Sequence, residues 1–207
     1  GSFNIDAAEI AGLTDGFSSI TIGLNSTFNT IDIQASTFTD PLIIESGTGV
    51  ASLNGTLTNT GNTVTFESDL TITANQTVTS VGLTLQNNTL TTGVNTLTSA
   101  GNVTLNTEDW QLTANGTTVG QFGVIDVTGT VTLTNSTLTL TGSHTATGVD
   151  AIVIIENDGP EAVAGTFNGL VEGAVVGNGW SITYVGGDGN DIELFASDEI
   201  HLLLASM

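Results

Sequence analysis

Acidic side chains are the first groups in this sequence that could do chemistry, because glycoside hydrolysis uses two opposed carboxyl groups, one of them kept protonated. Two pairs fit by residue type: Glu108 with Asp109, and Asp126 with Asp150. All four residues fall at predicted turns, and the sequence indicates no cleft that they share. We therefore favour solvated turn acids over a carbohydrate-active site.

The sequence has few residues that could carry out other kinds of catalysis. The chain has two histidines, His144 and His201, and no cysteine, so the sequence predicts neither a catalytic triad nor a zinc site. It has no Lys or Arg, the bases that β-helical polysaccharide lyases use beside calcium-bound carboxylates. We expect no catalytic residue and no enzymatic activity.

One acidic string has the composition of a calcium-binding turn. Gly186-Gly-Asp-Gly-Asn-Asp191 matches the start of the calcium-binding nonapeptide of RTX toxins, in which stacked turns gather carboxylate and carbonyl oxygens. Only one copy is present, and Glu193 stands where that motif needs an apolar residue. A plain turn before the last strand is the alternative. If calcium is a cofactor, Asp188 and Asp191 are its predicted ligands; no other cofactor is expected.

Threonines in pairs form the most regular polar pattern. Each pair flanks one apolar residue, so a strand would bury the apolar residue and direct both hydroxyl groups outward. Such a file resembles the surface of ice-binding or glycan-binding solenoids. The predicted array is Thr37, Thr39, Thr56, Thr58, Thr77, Thr79, Thr96, Thr98, Thr137 and Thr139.

A repeat of about twenty residues must position these threonines. Five asparagines open its copies at steps of 21, 20, 20 and 20 residues: Asn54, Asn75, Asn95, Asn115 and Asn135. A period of this size is typical of a solenoid, in which each repeat buries its apolar face against its neighbours. Asparagine tolerates the left-handed backbone of tight corners, and asparagines in register can form a hydrogen-bonded ladder.

Each repeat divides into three short strands separated by turns. The sequence therefore predicts an all-β fold, a parallel β-solenoid with coils of about 20 residues. At the N-terminus, residues 5–13 have the spacing of a short capping helix, and an irregular lead-in is the alternative. Phe66, Leu85, Leu105 and Ile125 are expected to stack in one internal column. Trp110 is expected in the core rather than as a sugar platform.

The predicted organisation is a single solenoid domain over residues 1–207. It comprises an N-terminal cap (1–19), regular coils (20–142), C-terminal coils and capping strands (143–195) and a tail (196–207). The run Ala151–Ile155 is predicted to be a strand covered on both faces, because it is continuously apolar.

The charge balance restricts the partners. The chain carries 21 Asp and Glu against no Lys or Arg, a net charge of −21. It lacks the cationic side chains that bind nucleic acid or anionic membrane surfaces, and no apolar run is long enough for membrane insertion. The partners that remain are divalent cations, glycans, other surface proteins and further copies of the chain in a homopolymer or fibre. Trypsin-type proteases have no cleavage site, which suits an extracellular protein.

The second half of the chain contains strings with a family resemblance. They are residues 123–133 (Gly-Val-Ile-Asp-Val-Thr-Gly-Thr-Val-Thr-Leu), 165–174 and 182–192, together with the earlier strings 15–23 and 37–41. They resemble the C-terminal solenoid of passenger-type β-helices in large secreted bacterial surface proteins, those with autotransporter-associated β-strand repeats and filamentous-haemagglutinin-like relatives. The resemblance implies a right-handed β-helix that is secreted or displayed on the cell surface.

The function that we expect is therefore structural or adhesive. The chain would act as a stalk, fibre or matrix subunit, with an uncapped coil allowing head-to-tail self-assembly. The alternatives are a Thr-rich ice-binding or glycan-binding solenoid and a carbohydrate-active β-helix enzyme.

Overall fold

Short runs of alternating apolar and β-branched residues give this chain many short strands, joined at corners rich in Asn, Gly and Ser. The structure is a computed structural model that describes residues 7–13, 15–26, 28 and 30–197. It confirms an all-β parallel β-solenoid with coils of about 21 residues. The elements, in chain order, are α1 (Ala7–Ala11), β1 (Ile20–Gly23), β2 (Ile31–Ile33), β3 (Ser36–Phe38), β4 (Leu42–Leu53), β5 (Leu57–Asn59), β6 (Thr63–Ile72), β7 (Gln76–Thr79), β8 (Gly82–Gln86), β9 (Thr89–Gly93), β10 (Thr96–Ser99), β11 (Asn102–Asn106), β12 (Asp109–Thr113), β13 (Val124–Val127), β14 (Val131–Thr134), β15 (Thr137–Thr141), β16 (Ala151–Asn157), β17 (Val175–Gly177), β18 (Trp180–Gly186) and β19 (Asp191–Ala196).

The strands stack into three parallel faces around one apolar interior. Face 1 contains β1, residues 42–45 of β4, residues 63–66 of β6, β8, β11 and β14. Face 2 contains β2, residues 50–53 of β4, residues 69–72 of β6, β9, β12 and β15. Face 3 contains β3, β5, β7, β10, β13 and β16.

The core forms because every second side chain of a strand points inward. On face 1 the inward file is Ile22, Ile44, Phe66, Leu85 and Leu105, in steps of 22, 22, 19 and 20 residues. These are four turns of about 21 residues each. From Ile44 onward the file is fully buried, so each coil seals the next.

The predicted column is wrong at its last member. Leu105 stacks on Leu133, 28 residues later, whereas Ile125 lies on face 3 opposite Leu97. The extra length is a loop, residues 114–123, inserted at the corner between faces 2 and 3. The sequence Asn115-Gly-Thr-Thr offers no apolar residue to bury in a strand, and the next apolar residue, Val119, is 81% exposed. The strands β13, with Ile125, and β15, with Thr137 and Thr139, therefore belong to different faces from the predicted ones.

The corner between faces 1 and 2 requires a left-handed backbone. Asn87, Thr107 and Asn135 occupy equivalent positions in successive coils, with φ of 62°, 55° and 52°. Asparagine adopts this conformation readily, whereas a β-branched threonine does so at a cost. Corner geometry is thus repeated from coil to coil even where the residue type changes.

The C-terminal end of the solenoid is closed. β16 pairs with β13 in parallel and then with β19 in antiparallel orientation, and β18 and β17 follow as further antiparallel strands. These are the predicted capping strands. The strand predicted to be covered on both faces is β16. Ile152, Ile154 and Ile155 are buried, but Ala151 is exposed and Val153 only half-buried, so its other face is covered in part. Phe167 enters the end of the core, with its ring 6.3 Å from that of Trp110.

The predicted N-terminal helix is confirmed as α1, which contacts β3. Ala11 of this helix and five residues of face 3 and its preceding corners line a shallow groove of ≈390 Å³. Within the described residues, no helix has the length and apolarity required to cross a membrane.

Candidate functional site

The two predicted carboxylate pairs are divided by the fold. Glu108 is 2% exposed and points into the corner between faces 1 and 2. Asp109 begins β12 and points outward, where Oδ1 accepts hydrogen bonds from the hydroxyl groups of Thr137 (2.9 Å) and Thr139 (2.8 Å). Asp126 lies on the outer side of β13, and Asp150 lies in the segment before β16. Neither pair is arranged across a cleft in the way that an inverting hydrolase requires.

Glu108 is nevertheless the most perturbed carboxyl group. Its pKa is raised from 4.5 to about 7. Burial is the main cause and the charges of Asp69 and Asp109 act in the same direction, whereas the hydrogen bond from the backbone N–H of Asn88 to Oε2 (3.2 Å) lowers the pKa. The backbone N–H of Glu108 itself donates to Oγ of Ser136 (3.2 Å). Near neutral pH a substantial fraction of this carboxyl is therefore protonated inside the rod.

A column of inward polar side chains runs through this corner. One residue of each coil contributes, at the corner between faces 1 and 2. Oγ of Ser46 and Oγ of Ser68 are buried without a hydrogen-bond partner among the described residues. The column consists of Ser46, Ser68, Asn88, Glu108 and Ser136. The prediction that Glu108 is a solvated turn acid is therefore wrong. The signal in the sequence is the recurrence of polar residues at this position of each repeat.

His144, the histidine within the described residues, pairs with one of the candidate acids. Nε2 of His144 lies 2.9 Å from Oδ2 of Asp150, and the His144 ring packs on buried Trp180. The hydrogen bond from the backbone N–H of Thr147 lowers the pKa of Asp150, and His144 lowers it further. The pair fastens the segment between β15 and β16. His201 lies outside the described residues.

The predicted calcium string forms the turn between β18 and β19. Asp191 is largely buried, and its Oδ1 accepts the backbone N–H of Asn157 at 2.8 Å. Burial is the main cause that raises the pKa of Asp191. Asp188 is exposed in the same turn. Across the described residues, no three His, Asp or Glu side chains gather in a way that could hold a metal ion.

The threonine array is split into shorter files. Thr37, Thr58 and Thr79 follow one another on the outside of face 3, and Thr77 and Thr98 form the neighbouring file. Thr39, Thr56 and Thr96 lie at the ends of face 3 strands or beside them.

The remaining pair belongs elsewhere. Thr137 and Thr139 are on face 2, bonded to Asp109, because the inserted loop displaced the repeat. In their place on face 3, Thr98 is followed by Asp126, to which it donates a hydrogen bond of 3.2 Å, and then by Glu156. Burial, and then the charge of Asp126, raises the pKa of Glu156.

Four of the five asparagines bond to neighbouring coils rather than to one another. Nδ2 of Asn54 donates to Asp32 (2.7 Å), and Nδ2 of Asn95 donates to the carbonyl of Ile72 (3.4 Å). Oδ1 of Asn75 accepts the N–H of Thr96, and Oδ1 of Asn115 accepts the N–H of Ser143, both at 3.0 Å.

The asparagines also occupy two different corners. Asn54, Asn75, Asn95 and Asn115 lie between faces 2 and 3, whereas Asn135 lies between faces 1 and 2. These hydrogen bonds therefore connect adjacent coils and do not form the asparagine ladder that the repeat predicted.

The Trp110 prediction is correct. Its side chain is 0% exposed, and Nε1 donates to Oγ1 of buried Thr92 at 3.1 Å. The indole is therefore a core residue that no sugar could reach.

No known protein family, no curated protein and no solved structure matches this chain in sequence or structure comparisons. The chain is thus classified by architecture alone, as an all-β parallel β-solenoid with stacked coils.

Proposed function

We propose that this chain is a non-enzymatic structural or adhesive module of a secreted or cell-surface bacterial protein, in which it acts as a stalk, fibre or matrix subunit. We propose the right-handed passenger-type β-helix as its family, on the strings quoted above. In this proposal the function belongs to the rod as a whole, and partners bind its outer surface.

The observation that carries the proposal is that polar side chains form hydrogen bonds between adjacent coils. Gln86 donates to Glu67 (2.6 Å) and Thr98 to Asp126 (3.2 Å), each across one strand spacing. Nδ2 of Asn62 likewise donates to the carbonyl of Thr39 (2.5 Å). Such bonds stiffen the rod along its length and leave fewer groups free to converge on a substrate. Stiffness along an axis is the property that a stalk or fibre needs.

Composition supports an extracellular place of action. The chain has no Lys or Arg, so trypsin-type proteases cannot cut it, and it has no cysteine whose oxidation could matter outside the cell. Parallel strands paired on both sides also resist proteolysis, because a protease needs an extended segment that is free of its neighbours.

A second candidate function is recognition by the threonine files of face 3. Thr37, Thr58 and Thr79 repeat at the strand spacing of roughly 4.8 Å, which could order water or align with a glycan chain. The interruption of the neighbouring file by Asp126 shortens this surface. Absence of thermal hysteresis in solutions of the protein would exclude the ice-binding form of this proposal.

The two classes of function are separated by one pair of assays on the same sample. The labelled protein is applied to a glycan array and to intact bacterial cells, while release of reducing sugar is followed on a panel of polysaccharides. We expect saturable binding without sugar release. Sugar release that Glu108→Gln abolishes, and that Asp15→Asn leaves intact, would contradict the proposal and identify an enzyme.

A further inference from the structure

Seven asparagines of this chain stand in the sequence Asn-x-Thr, the sequon that accepts N-linked glycans. The glycan is attached to the side-chain amide nitrogen, so an acceptor needs an exposed Nδ2 and a backbone segment that a transferase can bind apart from neighbouring strands. The fold decides which sequons meet these requirements. They begin at Asn25, Asn54, Asn75, Asn87, Asn102, Asn115 and Asn135.

Four of the sequons run into paired strands. Their threonines are Thr77 in β7, Thr89 in β9, Thr104 in β11 and Thr137 in β15. The strands β7, β9 and β11 are paired on both sides, and the hydroxyl group of Thr137 donates to Asp109. A transferase could bind these sequons only if a coil opened. The threonine of the sequon at Asn25 lies outside the described residues.

The remaining two sequons are identical in sequence and lie outside strands. Asn54-Gly-Thr56 precedes β5, and Asn115-Gly-Thr117 lies in the inserted loop 114–123. In both of them the asparagine and the threonine are exposed. Any difference in how they accept a glycan must therefore come from the surrounding structure.

The side chain of Asn54 is engaged at both ends of its amide. Nδ2 donates to Oδ1 of Asp32 at 2.7 Å, and Oδ1 accepts the hydroxyl group of Thr73 at 3.4 Å. The following Gly55 packs so closely on the preceding coil that a Cβ there would meet the backbone of Ala35. The nitrogen that would have to react is thus already bonded, in a segment that is stacked on its neighbour.

Asn115 has the opposite arrangement. Its Oδ1 accepts hydrogen bonds from the N–H (3.0 Å) and the hydroxyl group (3.2 Å) of Ser143, which hold the oxygen side of the amide. Its Nδ2 has no hydrogen-bond partner among the described residues. Residues 115–121 belong to no strand, and Val119 in the same segment is 81% exposed. Here the reactive nitrogen is available on a segment that projects from the stacked coils.

We propose that Asn115 is a site of N-linked glycosylation and that its glycan covers the loop 114–123. In this reaction Nδ2 forms a bond to C1 of a sugar carried on a diphosphate. The C1–O bond breaks, its electron pair leaves with the diphosphate, and Nδ2 loses one proton to a base of the transferase. The attached glycan restricts the access of proteases to an exposed loop in the middle of the rod. The inference deepens the proposed function and rests on it, because sequons are used in secreted chains.

The test compares the two identical sequons in one folded sample. The purified chain, produced without glycosylation, is incubated with an oligosaccharyltransferase and a lipid-linked oligosaccharide and is then cleaved after Asp and Glu. Asn115 and Asn54 then lie in separate peptides, residues 110–126 and 46–67, which contain no other sequon. Mass spectrometry should show an occupancy of peptide 110–126 at least about tenfold above that of peptide 46–67. This result decides the acceptor site even if the extracellular location is wrong.

The matched controls separate structure from sequence. Synthetic peptides 110–126 and 46–67 share Asn-Gly-Thr and should be modified alike. Thr117→Ala removes the sequon at an exposed position, so it should abolish the glycan and leave thermal unfolding unchanged. Chain recovered from the cell surface should carry a glycan on peptide 110–126. An unmodified peptide 110–126 in either folded sample, equal occupancy of both sequons in the folded chain, or the same preference in the free peptides would each overturn the proposal.

Discussion

At the scale of single residues, the buried Glu108 decides how stability depends on pH. Its folded pKa is about 7 against an ordinary 4.5, so the unfolded chain releases this proton more easily. The contribution of this residue to stability is complete below pH 4.5 and falls as pH rises through 7. The groups that face it are the carboxylates of Asp69 and Asp109 and the backbone N–H of Asn88, and the two charges act in the same direction as burial.

We predict that Glu108→Gln flattens this dependence. Glutamine is neutral at every pH and keeps an oxygen for the N–H of Asn88. The free energy of unfolding of the variant should therefore exceed that of the wild type by about 2–3 kcal/mol at pH 8 and equal it near pH 4.5. Urea unfolding at several pH values measures this. Asp15→Asn removes an exposed carboxyl as a control, and equal slopes in both variants would show that Glu108 is not the cause.

The sequence could reveal only part of this residue's surroundings. Glu108 was visible as an acid, but its burial depends on the coil above and the coil below, which supply Ser136 and Asn88 from 28 and 20 residues away. Its position at a predicted turn, taken alone, indicated that the side chain is exposed to solvent. The outward position of Asp109 follows from alternation with Glu108 and could have been predicted.

At the scale of elements, the period predicted the coils well as far as Leu105. The inward files of faces 1 and 2 are continuous there because each coil has nearly the same length. The loop 114–123 then breaks the period, and sequence spacing alone placed Ile125 in the wrong file. Spacing reports stacking only while no residues are inserted at a corner, and the Thr137–Thr139 pair was misplaced for the same reason.

We predict that this loop is the site in the middle of the rod where a protease can cut. Val119→Arg gives trypsin its first site, at an exposed loop tip, and should be cleaved rapidly in the folded protein. Thr98→Arg places the same residue in β10, which pairs with strands on both sides, and should resist cleavage. Mass spectrometry of timed digests distinguishes the two. Equal cleavage of both variants would contradict the assigned loop and strand.

The left-handed corner gives a second prediction at this scale. Thr107→Asn should raise the free energy of unfolding by about 1 kcal/mol, because asparagine tolerates the φ of 55° that a β-branched residue resists. Asn87 and Asn135 already occupy the equivalent positions. The same change at Thr104, in the middle of β11, should lower stability instead. Chemical unfolding of the two variants tests whether Thr107→Asn raises the free energy of unfolding and the change at Thr104 lowers it.

At the scale of the whole molecule, repulsion among the acidic side chains opposes the fold. The net charge is −21, and like charges stand directly opposite each other on adjacent strands, Glu45 with Glu67 and Asp126 with Glu156. We predict that the thermal midpoint rises with sodium chloride, as measured by calorimetry.

Calcium should raise the thermal midpoint by the same amount in the wild type and in Asp188→Asn. A calcium effect that this substitution removes would establish the ion site that the turn sequence suggested.

The central claim is that this chain works as a rod outside the cell. Electron microscopy of the native cells, with a gold-labelled antibody raised against the inserted loop 114–123, tests that claim most directly. The proposal predicts label on surface fibres, stalks or extracellular matrix, at regular positions along the structures that contain the chain. Label confined to the cell interior would contradict it.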